Sequence, residues 1–165
     1  MRTAIPWAVL VAALAVLVAG RGHGGANGAS GTLHGRVVHI ADGDTIRVQL
    51  DDGRVERVRY IGVDTPESVK PGTPVQCFAK KASHFNASLV AGRKVTLRLD
   101  AEQRDRYGRL LAYVYAGSTF VNRALVARGY ARTLTIPPNV AHADEFARLA
   151  RDARESGIGL WRACR

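Results

Sequence analysis

The sequence predicts an α+β fold, a small antiparallel β-barrel of five strands carrying three helices on its outside. Three observations predict it. Five short runs in the body of the chain are β-branched or alternate apolar with polar, and most follow one another directly. Three longer stretches read as helices, each closed by a nearby Gly (Gly92, Gly129, Gly157). Roughly 130 residues remain beyond the N-terminal segment, a normal size for one core.

The elements follow in order. Residues 33–40 are rich in β-branched side chains and end at the turn signal Ala41-Asp42-Gly43. Ile46, Val48 and Leu50 then alternate with Arg47, Gln49 and Asp51, the pattern of a half-buried strand. Asp52-Gly53 is a hairpin turn, and residues 55–63 return as a third strand before Pro66 stops it. In that strand the apolar residues are Val58, Tyr60, Ile61 and Val63, so the alternation slips by one place. Strict period two would put Arg59 and Asp64 on opposite faces. A bulge between Tyr60 and Ile61 is therefore expected, turning Arg59, Gly62 and Asp64 to one side.

Residues 68–74, with Pro71-Gly72 and Pro74, read as a loop. Residues 76–90 read as a helix, with Phe78, Ala82, Phe85 and Leu89 forming one apolar stripe. Val95, Leu97 and Leu99 mark a fourth strand. Residues 110–115 form a fifth, apolar on both faces, and 118–128 and 143–156 are two further helices.

The N-terminus is of another kind. Arg2 precedes an unbroken apolar run over 8–20 that ends in small residues, the pattern of a secretory signal or, if uncleaved, a membrane anchor (residues 1–22). Residues 23–32 are mostly Gly, Ala, Ser and Asn, a composition that suits a flexible linker. The folded domain is expected over 33–165, outside the cytoplasm, as a monomer without an obligate protein partner. Cys77 and Cys164 are an even pair, which in an oxidising compartment points to one disulfide from the first helix to the chain end. Twenty-four basic against fourteen acidic residues give a net charge of +10, which attracts polyanions or simply keeps the protein soluble.

Three clusters could carry chemistry: Asp42-Gly43-Asp44-Thr45, residues 59–67 (RYIGVDTPE) and residues 105–109 (DRYGR). Together they offer hard carboxylate oxygens and paired guanidinium groups. Carboxylates hold a hard cation, guanidinium groups neutralise charge developing on a phosphoryl group, and a remaining carboxylate can orient or deprotonate water. That combination suits phosphodiester cleavage. Each fragment alone also has a structural reading, as a turn, a helix cap or a hairpin.

In this order and spacing the clusters resemble the staphylococcal (micrococcal) nuclease family, over residues 35–161. The likeness continues through LAYVY at 111–115, Val121-Asn122, Leu125-Val126, Gly129 and Gly159-Leu160-Trp161. The resemblance implies a five-stranded OB barrel with three helices and a Ca²⁺-dependent endonuclease of DNA and RNA that leaves 3′-phosphate ends. It implies Asp44, Asp64 and the main-chain carbonyl of Thr65 as Ca²⁺ ligands, and Glu67 as the carboxylate that positions or activates water. Arg59 and Arg109 match the phosphate-binding arginines, Tyr107 a nucleotide-contacting tyrosine, and Arg106 the basic residue beside it.

Residues 133–138 (TLTIPP) lack the tyrosines that some members carry there for base stacking. His34, His39, His84 and His142 show no metal-ligand spacing and read as surface or capping residues. Trp161 reads as a packing anchor for the chain end. The competing reading is an OB-fold nucleic-acid-binding module without catalysis. Three carboxylates facing a polyanion argue against that, because a module that only binds gains nothing from the repulsion.

Overall fold

Ile46, Val48 and Leu50 alternate inward with Arg47 and Gln49 outward, and they form a strand with its apolar side wholly buried. This is β2 (Thr45–Leu50) in the computed structural model, which describes residues 31–67, 72 and 74–164. The leader or anchor over 1–22, the linker up to residue 30 and most of the 68–74 loop lie outside the described residues. No helix among the described residues is long and apolar enough to cross a membrane.

Strand β1 (Thr32–Ile40) pairs antiparallel with β2 on one side and with β5 (Lys94–Arg98) on the other. Strand β3 (Val55–Tyr60) pairs with β2, and β6 (Leu110–Ala116) with β5. The barrel closes where β3 meets β6 in parallel, with Tyr60 opposite Ala112. Val48, Val58, Tyr60, Leu97 and Val114 fill the interior and are essentially inaccessible to solvent. The five expected strands are thus the five staves of a closed barrel, an SNase-like OB fold.

Three long helices pack outside: α1 (Ala79–Val90), α2 (Val121–Ala127) and α3 (Ala143–Glu155). A short α4 (Leu160–Ala163) and the strands β7 (Thr119–Phe120) and β8 (Arg132–Leu134) have no counterpart in the sequence reading. They hold two to four residues, too few for a periodic pattern to register. The first helix starts at Ala79 rather than residue 76, because Phe78 adopts φ 70°, outside helical space. Its buried residues are Ala79, Ala82, Asn86 and Val90, so of the expected stripe Ala82 is fully buried while Phe85 and Leu89 are only partly covered.

The irregularity expected between Tyr60 and Ile61 is present but takes another form. A bulge keeps its partner strand across the extra residue. Here the chain breaks and changes partner. Strand β3 ends at Tyr60, the Ile61 N–H donates to the Ala112 carbonyl, and β4 (Gly62–Asp64) pairs with β8 instead. Gly62 has φ 78°, and a Cβ there would lie 2.7 Å from the Phe146 ring, so this corner admits only glycine. Asn122, buried on α2, holds the corner. Its Nδ2 donates to the Ile61 carbonyl at 2.8 Å, and its Oδ1 accepts the Val114 N–H at 2.9 Å.

Candidate active site

The loop between β1 and β2 supplies the deepest carboxylate. Asp44 is 5 % exposed and its oxygens are fully engaged. Oδ2 accepts the Thr65 N–H at 2.8 Å and the Thr65 hydroxyl at 2.9 Å, and Oδ1 accepts the Thr45 hydroxyl at 3.1 Å. Backbone and polar contacts pin the loop itself. The Tyr60 N–H donates to the Asp44 carbonyl at 3.0 Å, and Asn86 Nδ2 donates to the Asp42 carbonyl, also at 3.0 Å. The Tyr60 hydroxyl donates to Asn86 Oδ1 at 2.9 Å, so helix α1 reaches the loop through a buried polar relay.

The break after Tyr60 brings Arg59 to Asp64. Arg59 Nη2 lies 3.3 Å from Asp64 Oδ1 and its Nε 3.4 Å from Asp44 Oδ1, while Nη1 donates to the Tyr60 and Val63 carbonyls. One guanidinium thus joins both aspartates. The aspartates differ in exposure: the Asp44 side chain is 7 % exposed and that of Asp64 51 %.

Crowding shows in the titration behaviour. Burial and the Asp44 charge push Asp42 up to about 6, with Glu67 adding to the effect. Burial also raises Asp64; Arg59 opposes the shift, and Asp44 and Glu67 reinforce it. The sequence marks Asp42 as part of the DGDT turn and not as a site residue. Its Oδ1 accepts the Asp44 N–H at 3.0 Å, which shapes the loop, and its carboxyl belongs electrostatically to the cluster.

Glu67 stands at the edge of this group on a short braced segment. Its N–H donates to Gln76 Oε1 at 2.9 Å, and its carbonyl accepts the Gln76 N–H at 3.0 Å. Gln76 is a positioning residue that the sequence reading missed, placed there as the start of a helix. Immediately beyond it Cys77 is disulfide-bonded to Cys164, 87 residues away.

The second arginine comes from the tight turn before β6. Asp105 Oδ1 accepts the N–H groups of Tyr107 and Arg109, both at 2.9 Å, and Oδ2 accepts Arg109 Nε at 2.7 Å. The two terminal nitrogens of Arg109 have no hydrogen-bond partner among the described residues. Tyr107 is 65 % exposed, and Arg106 donates to its hydroxyl at 2.7 Å. Arg59, Arg106, Tyr107 and Arg109 all line one cleft of about 440 Å³, whose far wall includes Leu134 and Ile136. Where some family members carry tyrosines, this wall is aliphatic.

The structure thus sorts the expected residues. Asp44, Asp64, Thr65 and Arg59 touch one another; Glu67 is within electrostatic reach; Arg106, Tyr107 and Arg109 share the cleft with Arg59. Among the described residues no three acidic, His or Cys side chains converge as a ready metal cage. Two carboxylates and one carbonyl supply only part of a hard cation's usual six to eight oxygens, leaving room for water and phosphate. The donors are all oxygen, and burial and the neighbouring carboxylate charges raise Asp64, a crowding that a cation would relieve, so the residues present fit Ca²⁺.

His142 makes no capping hydrogen bond. Its ring sits 4.6 Å from Tyr113 and 4.8 Å from Phe120, and Nδ1 meets Glu145 at 3.0 Å, so it is a packing residue. Trp161 lies 4.4 Å from the Arg154 guanidinium and its Nε1 is buried with no hydrogen-bond partner among the described residues, consistent with anchoring the chain end.

A closed barrel thus sets two arginines on one cleft, and one of them, Arg59, is joined to two aspartates beside it, an arrangement suited to an anionic ester. The model of the Staphylococcal nuclease homologue family matches residues 57–163. The thermonuclease of Staphylococcus intermedius is 42% identical over 125 residues, covering 76% of this chain and 74% of its own. That of Staphylococcus hyicus is 40% identical over 126 residues, with the same coverage of both chains. Endonuclease YncB of Bacillus subtilis is 40% identical over 122 residues, 73% of this chain and 57% of its own. The chain belongs to the staphylococcal nuclease family. Family and relatives together support a nuclease function.

Proposed function

We propose that the protein is an exported, Ca²⁺-dependent endonuclease that hydrolyses phosphodiester bonds of DNA and RNA and leaves 3′-phosphate ends. The observation that carries the reading is the single guanidinium of Arg59 joined to both Asp44 and Asp64 at the wall of a cleft shared with Arg109. Asp44, Asp64 and the Thr65 carbonyl would hold Ca²⁺, whose charge offsets the negative charge that builds on the phosphate. Arg59 and Arg109 bind the phosphate oxygens and stabilise the five-coordinate transition state. Glu67 orients a water and takes its proton as the oxygen attacks phosphorus. The bond to the 5′ oxygen breaks, that oxygen is reprotonated from solvent, and the phosphate stays on the 3′ side. Tyr107 and Arg106 hold the neighbouring nucleotide.

Export is supported by the apolar N-terminal run and by a disulfide, which persists in oxidising compartments. The folded unit is taken as 33–165, following a signal or anchor over 1–22 and a linker over 23–32. Plasmid degradation with Ca²⁺ or with EGTA, by wild type and Glu67→Ala, tests the reading. Loss of degradation under EGTA and in the variant is expected; activity that survives both refutes the mechanism. No activity in any condition points instead to a nucleic-acid-binding module.

A further inference from the structure

The outward side of the barrel beside the site carries a block of positive charge that the proposed chemistry does not use. On β3 the outward residues are Val55, Arg57 and Arg59, and on β2 they are Thr45, Arg47 and Gln49. The register pairs Thr45 with Arg59 and Arg47 with Arg57, and β1 brings His39 opposite Arg47. Arg57, Arg47 and His39 therefore form an exposed row across three strands, one pleat from Arg59. Two residues of strand put Arg57 about 7 Å from Arg59 along β3.

Like charges directly opposite one another on a sheet are destabilising. Here nothing offsets them, since neither Arg47 nor Arg57 has an ion pair or side-chain hydrogen bond among the described residues. Neighbouring arginines behave differently: Arg54 is bound to Asp52 and Arg104 to Glu56. On the β2–β3 hairpin Asp52 and Glu56 are thus already engaged, and Asp51 sits at its remote end. The row is contiguous with the residue that would grip the scissile phosphate, and the outer face of the second and third strands is where OB barrels commonly take single strands.

We propose that Arg47, Arg57 and His39 form a track for the phosphodiester backbone of a single nucleic-acid strand, continuing from the phosphate held at Arg59. This rests on the nuclease reading and extends it to substrate length. Among the described residues this row holds no Phe, Tyr or Trp on which bases would stack, so the track reads chiefly charge, and it favours long strands over short ones.

The test is Arg47→Gln/Arg57→Gln, with Arg148→Gln/Arg151→Gln removing the same charge from exposed positions of α3. Binding of a labelled oligothymidylate of roughly 16 nucleotides, the upper end of an OB-fold site, is followed by anisotropy in EGTA as salt rises. Losing two phosphate contacts makes the log–log salt slope shallower by about 1.4 for a single strand. Between about 50 and 200 mM salt, wild type then loses about sevenfold more affinity than the variant. With Ca²⁺, the ratio of KM on a dinucleotide to KM on the long strand is expected to fall in the β-face variant alone. The melting temperature is expected not to fall, because a repulsive pair has gone.

An unchanged slope, an equal change in the α3 variant, or equal losses on both substrates would overturn the track. A slope change with no cleavage by wild type under any condition would instead remove the nuclease reading and leave the strand-binding face standing.

Discussion

Arg59 has almost no unused hydrogen-bonding capacity, because it serves two carbonyls and two carboxylates at once. The proposed phosphate must therefore share this arginine with the aspartates, which already aim it. Glu67 depends on a neighbour in a comparable way. Both of its backbone polar groups are tied to Gln76, through the side chain in one direction and the main chain in the other. Gln76→Ala deletes one of those bonds from an exposed residue, so the fold should survive. Displacing a catalytic group by about an ångström can cost around 100-fold. We expect kcat to fall roughly 10- to 100-fold with KM and melting temperature little changed, and Gln76→Glu, which keeps an acceptor oxygen, to recover part of the loss. A variant with wild-type kcat would remove Gln76 from the positioning apparatus.

At the scale of the element, the turn over 105–109 shows how a short motif builds its own geometry. Asp105 accepts three hydrogen bonds from residues two and four positions later, so most of this turn was legible as DRYGR. Burial pushes the Asp105 carboxyl up, but the bonds from Arg109 and its charge outweigh it and hold the pKa below the usual 3.8. A carboxylate whose folded pKa is depressed contributes stability that is complete above the unfolded pKa and is lost as pH falls through the folded one. Asp105→Asn should therefore be less stable than wild type at neutral pH, by about 1–2 kcal/mol. The gap should close as denaturation is followed below pH 3.8. A gap that persists unchanged in acid would mean that the carboxylate charge is not what holds the turn.

The corner after β3 was legible only in part. The slipped alternation at Tyr60-Ile61 signalled that Arg59 and Asp64 share a side. It did not tell a bulge from an exchange of partner strands, because β8 holds three residues and lies 68 positions from Asp64 in its pairing with Arg132. Helix 76–90 failed at its start for a related reason. Residues 76–78 have helical spacing, but a disulfide at Cys77 and the bonds from Gln76 to Glu67 claim them first.

For the whole molecule, the disulfide is the longest covalent constraint. It ties the segment that braces Glu67 to the chain end, across 87 residues. In the chain-entropy account such a loop contributes about 4–5 kcal/mol, less any strain. Cys77→Ser/Cys164→Ser is expected to lower the melting temperature by at least 10 °C at roughly 130 residues, and to make residues 74–78 the first protease-sensitive site. An unchanged melting temperature would mean that burial alone holds the chain end.

The sequence by itself determined the barrel strands, the oxygen and guanidinium inventory and the net charge. Period-two alternation and residue chemistry act over a few neighbours, and the family pattern of DGDT, VDTPE and RYGR is likewise local. Tertiary structure alone decided the partner exchange after Tyr60, the hold of Gln76 on Glu67, the Asn86 relay and the placing of Arg47 against Arg57. Each of these is a contact between segments, and register across a barrel is set by what both strands must bury at once. The residues that carry the proposed chemistry are written in the chain. That Arg59 meets Asp64 follows from a glycine corner held by an asparagine on another element.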